Sequence, residues 1–193
     1  MRGQRTRPST LVGAWVGNGL VTNFGDFESI ATTTLSSSTS TITFSSIPST
    51  YKHLQIRHLA RTDRADVIDE IAIVYNADTT GTNYSFHQIV GDGGSASVYG
   101  GGNEEGLILL ATGATATSSV FGVGVVDILD YANTNKYKTH RSLGGFDNNG
   151  SGRVGMSSGV WRNTAAITSI RLAPNNAANF VQYSQFALYG IKG

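Results

Sequence analysis

From Phe27 onward, apolar and polar residues alternate with period two, and turn-forming clusters interrupt the pattern about every ten residues. The runs that read as strands are 27–34, 40–46, 53–61, 70–76, 84–90, 106–111, 120–129, 139–146, 152–160, 167–173 and 180–191. In 53–61, Leu54 and Ile56 alternate with Gln55 and Arg57, and Ile71, Ile73 and Tyr75 repeat the pattern. One packed face and one wet face is what an antiparallel sandwich requires. The connections carry reversal chemistry: Pro48, Asp78 to Gly81, Asp92-Gly93-Gly94, and Asp147 to Gly150. Residues 63–68 are the best helix candidate, a single turn. Gly122 and Gly124, inside an apolar run, imply a bulge or a close backbone approach. The expected fold is all-β: an antiparallel, jelly-roll-like β-sandwich over 27–193.

Residues 1–26 follow neither period. Pro8, five glycines and Arg2, Arg5 and Arg7 precede the first acid, Asp26, and describe an extended basic arm that orders only against a neighbour. Fully extended it spans roughly 85 Å. Its expected partner-binding residues are Arg2, Arg5 and Arg7 with the apolar anchors Leu11, Trp15 and Val16.

Composition narrows the function classes. With 193 residues the chain is long enough to bury its own core, and it has no cysteine, so disulfides, thiolate chemistry and Cys-based zinc sites are excluded. Charged residues are 14% of the chain and the formal net charge is +1, so no overall field draws it to nucleic acid or to an anionic membrane. The three arginines beside Trp15 are too few for more than weak, salt-sensitive nucleic-acid binding. No apolar run has the length of a membrane span, and Leu11 to Val21 is broken by Gly13, Gly17, Asn18 and Gly19.

The candidate chemistry is sparse. Gly155-Met156-Ser157-Ser158-Gly159 matches a nucleophile elbow, but no helix follows and no histidine comes after His140, so a catalytic Ser157 is disfavoured. His53, His58, His87 and His140 have no metal-ligand spacing and read as sheet-face residues. Asp127 and Asp130 could pair as glycosidase carboxylates, but their flanks favour turn capping or a link to Lys136 or Lys138. Asp147, Asn149, Ser151 and Gly152 hold the first positions of a calcium loop, whose closing carboxylate is replaced by Ser158. Gly91 to Gly94 and Gly100-Gly101-Gly102 read as flexible loop tips rather than phosphate cradles, with Glu104 and Glu105 a solvated edge. No catalytic, metal or cofactor residue is assigned.

Several segments look familiar. Phe27 to Arg57 resembles a recurrent module of virion proteins in tailed phages of cyanobacteria and aquatic bacteria. So do Asn83 to His87, Asp127 to Tyr131 continuing through Lys136 to Ser142, Trp161 to Ile170, and Phe186 to Lys192. The resemblance implies a jelly-roll-like sandwich used as a capsid cement (decoration) protein or as a tail and fibre module. It further implies symmetric sets such as trimers, the major capsid protein or other virion proteins as partners, no enzyme, and assembly in the host cytoplasm into the virion. Nothing in 1–26 matches the module. A tail, baseplate or fibre component with the same fold is the alternative. A carbohydrate-binding receptor module is a further one, in which Tyr99, Trp161 or Tyr131 would stack on sugars.

Overall fold

The computed structural model describes residues 26–102 and 105–193, together with the backbone of 15–16 and 19–20. The chain is an antiparallel β-sandwich. Two short strands, β1 (Trp15–Val16) and β2 (Gly19–Leu20), pair with each other. The sandwich strands are β3 (Phe27–Thr34), β4 (Ile42–Phe44), β5 (His53–Ala60), β6 (Ile68–Tyr75), β7 (Tyr84–Gly91), β8 (Ala96–Gly102), β9 (Gly106–Thr112), β10 (Gly122–Leu129), β11 (Lys138–Asp147), β12 (Gly152–Trp161), β13 (Ile170–Pro174) and β14 (Gln185–Ile191). They form an eight-stranded sheet in the order β3-β14-β5-β10-β11-β12-β7-β8 and a four-stranded sheet in the order β4-β13-β6-β9.

The period-two pattern explains this arrangement. Leu54 and Ile56 of β5, Val126 and Ile128 of β10, and Phe186 and Leu188 of β14 all point inward. There they pack against Ile42, Phe44, Ile71, Ile73, Tyr75, Ile108, Ile170 and Leu172 of the small sheet. Each such side chain contributes roughly 1.5–3 kcal/mol by leaving water. Every run read as a strand from the sequence contains one, with ends shifted by a few residues. The expected helix at 63–68 does not form: that stretch is irregular and feeds β6. The one helical turn among the described residues is a 3-10 turn at Gly81–Asn83.

One reading needs correction. Gly100-Gly101-Gly102 belongs to β8, the edge of the large sheet, where Gly100 lies opposite His87 and Gly102 opposite Ser85. Three glycines carry no side-chain alternation, so only partner hydrogen bonds could reveal the strand. Within the segment expected to be an extended basic arm, only β1 and β2 are described, and they pair antiparallel with Trp15 opposite Leu20. Arg2, Arg5, Arg7 and Leu11 lie outside the described residues.

Gly122 marks a close approach, as its position implied: a Cβ there would sit 2.6 Å from the Leu110 carbonyl oxygen. The pairing of β10 is regular, and the register shifts fall instead at Leu188/Tyr189 and Asp69/Ile71. The β11–β12 hairpin turns on Asn149 (φ 60°) and Gly150 (φ 94°), the left-handed pair that a tight two-residue turn needs. No helix among the described residues is long and apolar enough to cross a membrane.

Candidate docking surface

The eight-stranded sheet is twice as wide as its partner, and its two faces differ in what covers them. On the outer face, side chains stand in register across six strands. One row runs Arg57, Val125, Leu143, Met156, Ile89, Val98; the next runs Leu59, Val123, Gly145, Val154, Gly91, Ala96. Leu143, Met156 and Val154 are 50%, 57% and 60% exposed, and Val98 is 77% exposed. At ~4.8 Å per strand, the six strands carry this band across about 24 Å of the face.

The face is not flat. A hollow of about 610 Å³ is lined by Arg57, Val123, Val125, Leu143 and Val154 over a floor of Gly124, Gly144 and Gly145. A side chain at 145 would press on the Arg153 carbonyl, 2.5 Å from the added Cβ, so local backbone packing keeps the floor bare. A second groove of about 640 Å³ continues past Leu143 and Met156 to His87, Asp127, Arg141 and Ser158. At the β3 end, the Arg57 guanidinium lies over the rings of Tyr189 (5.3 Å) and Phe27 (5.9 Å), tying the aromatic rim to the face.

The inner face is polar where the small sheet runs out. Strand β9 is the edge of that sheet, and its free side rests on the middle of the large one. Beneath it lie buried Ser157, Ser142, Gln88, His58 and His140. Ser157 Oγ donates to the Leu107 carbonyl (3.1 Å), and Tyr75 Oη meets His140 Nδ1 at 3.0 Å. Burial pushes both imidazoles down to about 4, partly opposed at His58 by the Leu110 carbonyl and at His140 by the Leu107 carbonyl. Both are therefore neutral at physiological pH. These side chains take the place of a fifth strand and shield the edge that β9 would otherwise present.

The sequence candidates are dispersed. Ser157 is buried within β12, not on an elbow. Asp127 accepts from Gln55 Nε2 (2.9 Å) and Arg141 Nε (3.2 Å) on the outer face. Asp130, beyond the end of β10, pairs with Lys136 and Lys52, and Lys136 is first among the groups that hold its carboxyl below the usual range. The expected link to Lys136 is therefore made, whereas Lys138 is buried and donates to the carbonyls of Asn133, Lys136 and Thr164 at 2.6, 2.9 and 2.9 Å. His53 Nδ1 accepts from the Asp130 N–H, and His87 is exposed on the outer face.

Asp147 Oδ1 accepts from the Gly150 N–H, so the calcium-like run is folded as the hairpin turn and does not wrap a cavity. No group of three or more His, Asp or Glu able to hold a metal occurs among the described residues. Of the sugar-stacking candidates, Trp161 and Tyr131 are core residues. The Trp161 indole donates to Asp78 Oδ2 (2.8 Å), and the Tyr131 hydroxyl donates to the Pro48 carbonyl. Their bulk and single polar tip suit a core with one buried acceptor. Tyr99 alone of the three is open to solvent. Glu105 pairs with Arg171, and Glu104 lies outside the described residues.

The outer face itself went unread in the sequence. Its signal is the loss of alternation in 122–129 and 84–91, where apolar residues occupy both parities, and in 152–161 an alternation whose apolar parity, Val154 and Met156, faces outward. Protein-family models give no match to the chain, and neither do the curated proteins.

Proposed function

We propose that this chain is a phage virion structural protein, a capsid cement (decoration) protein that stabilises the head through multivalent contacts with capsid subunits. The observation that carries the reading is the outer face of the large sheet: two in-register apolar rows around a glycine-floored hollow. A surface of this chemistry gains free energy by being covered, and a protein lattice offers such a cover. The resemblance of 27–193 to phage virion modules gives the partner class. Strand order supports the jelly-roll part of the reading. Successive strands β4, β5, β6 and β7 alternate between sheets, β4-β13-β6-β9 forms one layer, and β5, β10, β7 and β8 keep their order in the other once the β11–β12 hairpin is set aside.

The mechanism is mechanical. The face seats on one subunit while the N-terminal segment, through Arg2, Arg5, Arg7, Leu11, Trp15 and Val16, reaches an adjacent one. Linking two modest contacts in one chain raises the effective concentration of the second, so the pair holds where internal pressure parts the subunits. A trimer or other symmetric set multiplies the effect.

The test is addition of purified protein to undecorated shells. Wild type is expected to sediment with shells and raise their resistance to heat; Leu143→Asp/Met156→Asp is expected to stay folded and remain in the supernatant. Decoration undiminished by that pair of substitutions would refute the reading. A second reading, a tail or fibre module binding carbohydrate, draws on Tyr99, which stands with Asp66, Glu70, Arg153 and Asn175 around a cleft of about 480 Å³. Binding of Tyr99→Ala and wild type to a glycan array separates the two: loss of a glycan signal on substitution favours the carbohydrate reading.

A further inference from the structure

We infer that two copies of the chain join edge to edge, β8 of one pairing antiparallel with β8 of the other about a two-fold axis at Tyr99. The inference concerns a strand edge and not the outer face, so it stands or falls apart from the cement reading.

The two sandwich sheets end in four edges, and three of these carry a guard. Strand β4 is only three residues long. Strand β9 rests its free side on the large sheet, where the Leu107 carbonyl accepts from Ser157 Oγ. Strand β3 has a register shift against β14 and carries the charged Glu28, paired with Lys192. Strand β8 has none of these protections. Its seven residues, Ala-Ser-Val-Tyr-Gly-Gly-Gly, include no charge and no proline and keep an unbroken register on β7. No described strand lies on its other side. Natural sheets blunt such an edge or pair it.

The hairpins fix which backbone groups are free. The Asp92 N–H donates to the Ser95 carbonyl across the Gly93-Gly94 tip, and from that pair bonded and non-bonded pairs alternate along the ladder. Val90 with Ser97, Gln88 with Tyr99, and Phe86 with Gly101 are then bonded pairs, so Ala96, Val98, Gly100 and Gly102 turn their N–H and C=O groups outward. The β11–β12 hairpin gives the same parity independently. Counted from the bonded pair Asn148 and Ser151, Val154 bonds toward Gly91 of β7, which leaves Gly91 without a bond to Ala96.

The side chains select the occupant. The first half of β8 carries Ala96, Ser97 and Val98, and the last three positions are bare glycine. Reversed about Tyr99, a second copy sets its Val98 against Gly100, its Ser97 against Gly101 and its Ala96 against Gly102. Each half fills what the other lacks, and every outward residue of one strand meets an outward residue of the other. A shift by one residue would oppose outward groups to Ser97, Tyr99 and Gly101, whose backbone is already bonded to β7. A shift by two would set Val98 against itself and leave an end unpaired. The His87 ring lies over Gly100, its Cδ2 2.9 Å from where a Cβ would stand, and gives Val98 of the second copy a wall to pack on. Val98 is the most exposed large hydrophobic among the described residues. The contact uses the same edge twice, so it closes at two copies.

The chain has no cysteine, so a single introduced one reports the contact. At the two-fold, Tyr99 faces its own copy in a non-bonded pair with Cα atoms about 4.5 Å apart, close enough for a disulfide. Full-length Tyr99→Cys is expected to give a covalent dimer on mild oxidation, read on a non-reducing gel. Ser97→Cys, opposite Gly101, is expected to link several-fold more slowly, and Val154→Cys, on the outer face, to remain monomeric. In sedimentation velocity, wild type is expected to be a dimer whose share grows with concentration. Val98→Pro removes an outward N–H without taking a bond from β7 and is expected to sediment as a monomer with an unchanged circular dichroism spectrum; Val98→Lys should do the same. Wild type that is monomeric at every concentration would overturn the inference. So would linkage through Val154→Cys but not Tyr99→Cys, which assigns self-association to the apolar face. A dimer linked at Tyr99→Cys that never binds shells would sink the cement reading and support this one.

Discussion

The two faces of the large sheet are built from the same kinds of residue, yet one makes the fold and the other is left for something else to use. On the inner face, Ile56, Val126 and Ile128 are fully buried by the small sheet. On the outer face, Val125 of β10, one position out of phase with Val126, stands beside Leu143 of β11 and Met156 of β12, and nothing among the described residues covers them fully. Hydrophobicity alone therefore does not mark the core of this protein. What separates the faces is the presence of a second layer, and the consequence is that substitutions on them should fail in different assays.

The sharpest contrast is Ile56→Ala against Leu143→Ser. Truncating Ile56 empties volume between the sheets and should cost about 2–5 kcal/mol, measured by urea unfolding. Leu143→Ser should change stability by no more than about 0.5 kcal/mol while lowering shell binding. Equal loss of stability in both would mean that the outer face is core.

Acid should break the inner face first. His58 and His140 are held neutral down to about 4 when folded, whereas their unfolded counterparts protonate near 6.5. The unfolded state therefore binds more protons between these values. Stability should be flat above pH 6.5 and fall by a few kcal/mol as pH drops to about 4, visible as a declining Tm. His58 makes no hydrogen bond of normal geometry at either ring nitrogen, the Leu110 carbonyl opposing its burial only in part, and lies beside Phe186 (6.3 Å between ring centroids). His58→Leu should accordingly be near neutral at pH 7 and should flatten part of the acid slope, where a steeper slope would refute the assignment.

Smaller effects sharpen the comparison within the core. Burial pushes the Asp78 carboxyl up, but hydrogen bonds from Trp161, Asn83 and Thr80 outweigh it and hold the group at about 2. Trp161→Phe should cost about 1–3 kcal/mol at pH 7, since the carboxylate loses a donor while the ring is kept. Because the folded value then rises toward the ordinary one, the variant's deficit should shrink as pH falls through the carboxylate range. Ser157→Ala should cost about 1 kcal/mol by stripping the Leu107 carbonyl of its donor, with shell binding unchanged. A loss of function without loss of stability there would revive the nucleophile reading.

The fold class and nearly all strands were legible because each strand of a half-buried sheet must alternate, and 53–61 or 70–76 advertise this whatever their neighbours. Strand β8 was not legible, since Gly100 to Gly102 pair through backbone alone. The dismissal of Ser157 rested on the missing helix and histidine, and its place inside β12 supplies the direct reason. Trp161 and Tyr131 misled because an aromatic beside polar residues looks the same in sequence whether it faces sugar or core. The outer face was hidden for a related reason: an apolar residue at either parity is equally consistent with a buried strand, and 122–129 reads as doubly buried.

The sequence by itself determined that this chain folds as a two-layer antiparallel sandwich without cysteine chemistry, because alternation, turn residues and composition are local properties. Only the tertiary structure decided that eight strands share one sheet while four form the other. That mismatch in width comes from long-range pairing between strands such as β5 and β14, distant in the chain. It leaves one apolar face open and sets buried histidines beneath a free strand edge.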